Sequence, residues 1–245
     1  KDLARVLGRI PKKEDYDEND EWIIDCAVGH LVELFMPNDF DKKLKAWKLA
    51  NLPIIPTEFQ LKPIANTKKK FQQLKKQLKR KDVGEVINAC DAGREGELIF
   101  TYIYELAKAK KPIKRLWMLS MTDQSIKDAF ANLREGEKLK PLQDAARCRS
   151  ESEWLIGIKG TRAVTLKRSR SMSRQVSTVG RVQTPTLSLV IEREKEITSF
   201  VPKDFFRITS TFQLAEGNYL GVYQRDGIKK SVDNKHDRID RVWSK

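Results

Sequence analysis

The sequence predicts an α/β unit with a parallel sheet flanked by helices. A mainly helical segment follows it, and then the start of a β-rich unit. Three observations predict this order. Short apolar runs at 22–28, 85–90 and 113–119 alternate with helical patterns, as parallel strands alternate with their crossover helices. From about Leu142 to Leu166 the apolar spacing is helical throughout. After Pro202 the alternation Phe206-Arg207-Ile208-Thr209-Ser210-Thr211-Phe212 shifts the period from helix to strand.

Taken in order, residues 1–10 place Leu3, Val6, Leu7 and Ile10 on one helical face, and the polar residues 12–20 read as a loop. Trp22 to Val28 reads as a buried strand that turns over at Gly29-His30, and Pro53, Pro56 and Pro63 mark extended, irregular chain. Phe71, Leu74 and Leu78 give a helix over 67–80 whose other faces are crowded with lysines. A second buried strand, 85–90, runs into a loop over 91–97 and a helix over 98–108. A strand over 113–119 and a helix near 122–133 come next, closed by Arg134-Glu135-Gly136. The long helical stretch ends in a basic, serine-rich loop, 167–177, and Thr186 to Thr198 forms the last helix. No internal repeat is present.

With 48 Lys+Arg against 34 Asp+Glu, the 245 residues carry a formal net charge of +14, which predicts a polyanionic partner. The 40% hydrophobic content is enough for a packed core and excludes a wholly disordered polybasic chain. No apolar run reaches the roughly 18–20 residues of a membrane span, and Lys1 to Ile10 lacks a signal-peptide core. Cys26, Cys90 and Cys148 are too far apart for a disulfide framework or a CxxC metal site. These features predict a soluble protein of a reducing compartment.

Asp91, Glu95 and Glu97 lie just beyond the second buried strand, in a stretch that contains Gly93 and Gly96. Ligands collect at the carboxyl ends of parallel strands. Carboxylates this close together repel unless a cation lies among them, and oxygen ligands with room for water suit Mg²⁺. Arg94 could pair with a phosphate. Acids in a helix's first turn also complement the helix dipole, so the pattern alone leaves both readings open.

The string Asn88-Ala89-Cys90-Asp91-Ala92-Gly93-Arg94-Glu95-Gly96-Glu97-Leu98-Ile99 resembles the acidic motif of the Toprim domain in type IA DNA topoisomerases, most of all the bacterial topoisomerase III branch. Further matches follow in family order: Ala27 to Leu31, Trp47 with Leu52 to Pro56, Lys111 to Trp117, Glu153 to Ile158 with Thr161-Arg162-Ala163, and Val179 to Leu187. The resemblance implies a Toprim domain over 1–138, part of a helical single-strand-DNA-binding domain over 139–203, and the start of a β-rich gate domain over 204–245. It further implies ATP-independent breakage, passage and rejoining of single-stranded DNA through a 5′-phosphotyrosyl intermediate. Asp91 matches the first acid of the family's Asp-x-Asp-x-Glu pattern and Glu95 the last, making them the implied catalytic and Mg²⁺-binding residues. Gly93 stands where the middle acid would be, which leaves the number of metal ions open.

The same resemblance implies that the chain starts just after the family's first strand, whose Glu is a metal ligand. It also places the nucleophilic tyrosine downstream, in a Tyr-x-Arg-Thr motif. Tyr16, Tyr102, Tyr104, Tyr219 and Tyr223 all lack that context, so a fragment inactive by itself is expected. Trp47, Trp154, Arg162 and the run Thr178-Val179-Gly180-Arg181-Val182-Gln183-Thr184 are the implied DNA-binding residues. Arg181 would meet phosphate, and Gln183 and Thr184 a base or the backbone. Lys42, Lys43, Lys45 and Lys48 surround Trp47, and Trp154 precedes Arg162 by two helical turns on a similar face. Both tryptophans are equally compatible with the core. Glu153 and Lys159 depart from the Asp and Asn usual in the family. Lys167, Arg168, Arg170 and Arg174 join two of the DNA-binding motifs, whereas the lysines of the 67–80 helix read as a solvated face. His30 reads as a loop-ordering residue. A cytoplasmic, nucleoid-associated monomer without a membrane partner is implied. Two other readings stand beside this one: a non-catalytic nucleic-acid-binding module that keeps the Toprim fold, and a different Toprim enzyme such as a primase or an OLD-family nuclease. The run Val179 to Leu187 disfavours the latter.

Overall fold

In the computed structural model, which describes residues 2–8, 10–168, 175–224 and 239–243, the first helix α1 (Asp2–Val6) stops sooner than its apolar spacing predicts. Gly8 takes φ +104, a left-handed conformation that ends the helix and lets the Ile10 amide reach back to the Ala4 carbonyl at 3.2 Å. Ile10 is thereby buried beside the helix instead of extending it.

The expected strand over 22–28 is shorter and lies elsewhere. Only β2 (Ile23–Ile24) is regular, and it pairs antiparallel with β1 (Asp17–Glu18), inside what reads as a loop. The Asn19 side chain accepts the amides of Glu21 and Trp22 and closes this small hairpin. Beyond it, Asp25 turns onto Lys70 and Gln73, and Val28 ends 74% exposed. The buried strand in this region is instead β3 (Val32–Leu34), antiparallel to β4 (Leu61–Pro63), with Leu31, Val32 and Leu34 in the core. Between them the chain forms a short helix, α2 (Pro37–Phe40), and 3-10 turns at Lys42–Lys45 and Leu49–Asn51.

The next helix, α3 (Lys68–Leu78), follows its prediction: Phe71 is 1% exposed and anchors a helix whose lysines face outward or pair with acids. β5 (Val86–Asn88), α4 (Arg94–Ala107) and β6 (Ile113–Arg115) make the expected strand–helix–strand unit, with β5 and β6 parallel in the register Val86↔Ile113. Thr122 caps α5 (Asp123–Ala131) by accepting the Ser125 amide. The chain then returns as β7 (Arg134–Glu135), antiparallel to β6, so the three-stranded sheet β5-β6-β7 is mixed where an all-parallel one was predicted. Gly136 permits that close return, because a Cβ there would lie 2.9 Å from Ile113. A single 29-residue helix, α6 (Lys140–Arg168), packs on α4 and closes a core that includes Phe71, Leu98, Tyr102, Ala146 and Trp154.

Residues 1–184 form one compact unit and 185–245 another. The second unit carries most of α7 (Gln183–Thr198), which starts three residues earlier than predicted. The predicted strand after Pro202 resolves into β8 (Phe205–Phe206) and β9 (Thr209–Leu214). β10 (Gly217–Val222) pairs with β9 across a turn at Ala215 and Glu216, and β11 (Val242–Trp243) pairs with β8. Most of the polar tail 229–245 lies outside the described residues. No helix among the described residues is long and apolar enough to cross a membrane.

Candidate metal and nucleic-acid site

The acidic stretch after β5 is a helix start, not a loop. Gly93 is the N-cap of α4, and Glu95 and Glu97 fall in its first turn. Helical geometry then separates the acids. Asp91 and Glu95 are exposed, whereas Glu97 is 0% exposed and points beneath the turn. There Arg115, itself 1% exposed, donates from Nε to the Glu97 carboxylate at 2.5 Å. Asn88 and Gln143 also donate to Glu97, at 3.4 and 3.1 Å. The Arg115 guanidinium donates further to the carbonyls of Asn88, Cys90, Leu116 and Asp91 at 3.0, 2.6, 2.7 and 2.6 Å. One buried side chain therefore ties the ends of both parallel strands and the backbone of Asp91 to the first turn of α4. Its outer side lies 5.0 Å from the Trp117 ring, which Arg134 covers at 4.9 Å. Glu97 is thus not one of the surface acids that the spacing suggests.

Gly96 is what allows Asp91 to sit so close. A Cβ on Gly96 would lie 2.1 Å from the Asp91 carbonyl oxygen and 2.8 Å from its amide nitrogen, so any larger residue displaces the turn. Gly93 is the opposite case: its φ of 172 is ordinary extended backbone, and a Cβ there meets nothing within 4 Å. His30 reaches this turn from the loop after β2, its Nε2 lying 2.7 Å from Oε1 of Glu95. Among the described residues no group of three or more His, Cys, Asp or Glu comes together as a metal site. Asp91 and Glu95 offer exposed carboxylate oxygens, which fit a hydrated hard cation held by one or two protein ligands.

The predicted DNA-binding residues on α6 separate in the same way. Trp154 is 7% exposed; its indole donates to the Phe35 carbonyl at 2.8 Å, and Phe40 and Phe59 meet its ring edge-to-face. It holds the end of β3 against α6 and presents no free ring face. Arg162, two turns on and 6% exposed, donates to the Leu44 carbonyl at 2.8 Å and lies 5.4 Å from the Trp47 ring. Burial lowers its pKa from the ordinary arginine value. Trp47 itself is 37% exposed, in the loop after the lysine-rich 3-10 turn Lys42–Lys45. The fold therefore brings Trp47 and Arg162 together and consigns Trp154 to the core.

Residues 175–180 run as extended chain along α6. Thr178 and Arg181 are exposed, while Val179 packs over Gly157 and Gly160. The Arg181 guanidinium donates to the Arg149 carbonyl at 3.4 Å, and the Gly180 amide donates to the Thr184 hydroxyl at 3.2 Å. Val182, Gln183 and Thr184 are exposed at the start of α7. Lys167 and Arg168 close α6, whereas Arg170 and Arg174 lie outside the described residues. The residues that sequence reasoning missed are Arg115, Asn88 and Gln143 around Glu97, and Thr161 and Thr165 on α6. The one available signal was an arginine inside the apolar run 113–119.

Comparison with known proteins finds two family matches in succession along the chain. Residues 8–121 match the Toprim domain family and residues 137–244 the DNA topoisomerase family. The Toprim domain is a divalent-metal-binding domain. The DNA topoisomerase 3 of Shouchella clausii is 46% identical over 243 residues, covering 99% of this chain and 31% of the relative. That of Bacillus subtilis is 45% identical over 241 residues, covering 96% and 32%. The full-length topoisomerase I of Thermotoga maritima shares the fold, with a TM-score of 0.55 at 21% identity over 86% of this chain and 31% of that one. The chain thus spans about a third of the length of the curated relatives it matches. Matched by two successive domain families and by DNA topoisomerase 3 sequences over nearly its whole length, the chain belongs to the type IA DNA topoisomerases.

Proposed function

We propose that this chain supplies the metal-binding turn and part of the strand-holding surface of a bacterial type IA DNA topoisomerase of the topoisomerase III kind. On this reading the parent enzyme breaks and rejoins single-stranded DNA without ATP, through a 5′-phosphotyrosyl intermediate. The observation that carries it is that a clamped turn presents Asp91 and Glu95 in the same unit as the exposed ring of Trp47 over the buried Arg162 and as the run Thr178 to Thr184 with its exposed Arg181. Asp91 and Glu95 would hold Mg²⁺, which would supply charge stabilisation for the departing and returning 3′-oxygen. The Arg115 clamp holds the Asp91 backbone still, and His30 orients the Glu95 carboxylate. Trp47 offers a ring face for a base, Arg162 and Arg181 attract the phosphate backbone, and Gln183 and Thr184 hydrogen-bond the strand. Trp154 contributes by fixing the loop that carries Trp47.

The proposed domain division is 1–138, 139–203 and 204–245, in a monomeric, cytoplasmic, nucleoid-associated enzyme. The nucleophile belongs to a Tyr-x-Arg-Thr motif that these 245 residues do not contain. A labelled oligonucleotide titrated with the chain tests the reading. Single strands bind more tightly than duplex, affinity falls steeply with salt, and no covalent adduct forms with Mg²⁺ present. Equal affinity for single and double strands would overturn it. The lack of a third metal-ligating side chain among the described residues favours a second reading, a binding module without chemistry. A chain that binds DNA but shows no Mn²⁺ or Mg²⁺ binding that depends on Asp91 supports that alternative.

A further inference from the structure

We propose that Thr161 and Thr165 are positioning residues that set the register of the strand-contacting run Thr178 to Thr184 along α6. The proposal rests on the reading of that run as a DNA contact. The Thr161 hydroxyl accepts the Val179 amide at 2.9 Å and lies 3.3 Å from the Val179 carbonyl, to which it donates. The Thr165 hydroxyl does the same for Ser177, at 2.9 and 3.4 Å. A hydroxyl has one proton and two lone pairs, so each threonine satisfies both backbone groups of one residue, as a neighbouring strand would.

The spacing makes the match possible. Four residues of helix rise about 6 Å, and two residues of extended chain advance about 6.6 Å. Threonines at i and i+4 therefore meet alternate residues of a segment running antiparallel to the helix. Gly160 completes the fit, because a Cβ there would stand 2.9 Å from Cγ1 of Val179 and push the segment away. Ser177 and Val179 thus face the helix while Thr178 faces out, and the chain is delivered to Gly180 and Arg181 in one register. A one-residue slip would turn Val179 outward and leave the inward amides without acceptors.

The test uses the whole chain and two double variants. Thr161→Val with Thr165→Val removes the hydroxyls at constant shape; Thr161→Ser with Thr165→Ser keeps them. Hydrogen exchange at the Ser177 and Val179 amides reads the ladder directly, and fluorescence anisotropy of a labelled single-stranded oligonucleotide reads its consequence. The valine variant is expected to lose about tenfold in amide protection and a similar factor in affinity, with unchanged far-ultraviolet circular dichroism, and the serine variant to restore both. Unchanged amide protection in the valine variant would refute the ladder. Lost protection with unchanged affinity would refute the positioning role while leaving the ladder in place. Failure of the unsubstituted chain to bind single strands would refute the DNA reading, and the positioning role with it, even with both amides protected.

Discussion

Arg115 and Arg162 are both buried arginines, 1% and 6% exposed, and the fold treats them in opposite ways. Arg115 meets a fully buried carboxylate and four carbonyls, so its charge is neutralised and nearly all its donors are used inside the sheet end. Arg162 meets one carbonyl and the face of Trp47, and no ion pair with a carboxylate forms at it among the described residues. Burial without a counter-ion keeps a charge electrostatically unspent. It disfavours the charged form of Arg162, lowering its pKa, and leaves attraction for an anion arriving from solvent. The first arrangement builds a rigid support beneath the acids; the second keeps a positive charge beside a half-exposed aromatic ring. On the proposed reading the contrast follows from the two roles, since a metal turn needs its ligands held still and a strand-holding surface needs its potential left open.

The strongest way to break this comparison is to remove each arginine in turn. Arg115→Met strands the Glu97 carboxylate in the sheet and should cost about 3–5 kcal/mol of stability in urea denaturation. Glu97→Leu combined with Arg115→Met should recover much of that, because no uncompensated charge remains. Arg162→Met should behave differently, with stability changing by no more than about 1 kcal/mol because desolvation relieved offsets a hydrogen bond lost. Its oligonucleotide affinity should fall, and the log–log salt slope should shrink by about one. Equal destabilisation by the two single variants would erase the distinction. Gly96→Ala sits between them. It drives a methyl group into the Asp91 carbonyl and should cost about 1–3 kcal/mol, weakening Mn²⁺ binding measured by electron paramagnetic resonance.

How far the sequence reveals these features depends on the range of the interactions. The β5–α4 turn was legible because a buried strand, two glycines and several acids lie within a dozen residues. Glu97's inward turn was not, because its partner Arg115 is 18 residues away on another strand. The helix periodicity placed Trp154 and Arg162 on one face of α6, but could not say that this face is covered by the Phe35–Phe59 loop. The strand expected over 22–28 failed for a related reason. Asp25 is drawn away by Lys70 and Gln73, whereas the real core strand β3 has only three residues. The Thr161–Thr165 spacing was visible but mute, since a threonine pair at i and i+4 has meaning only once an extended segment lies along it.

The smallest expected stability effect bears on how far the acidic turn can be sharpened. Gly93 has room for a side chain, ordinary extended φ, and the N-cap position of α4, where Asp is among the preferred residues. Gly93→Asp should gain a few tenths of a kcal/mol from capping. In the absence of metal that gain is set against repulsion from Asp91 and Glu95, so the thermal midpoint should scarcely move. With Mg²⁺ added, the third carboxylate turns repulsion into coordination, and the midpoint should rise with metal concentration more steeply than for the unsubstituted chain. Calorimetric scans over a Mg²⁺ series check this. A variant whose midpoint ignores Mg²⁺ would show that Asp91 and Glu95 do not face a common ion. The clamp beneath them would then be a structural support for the sheet end and nothing more.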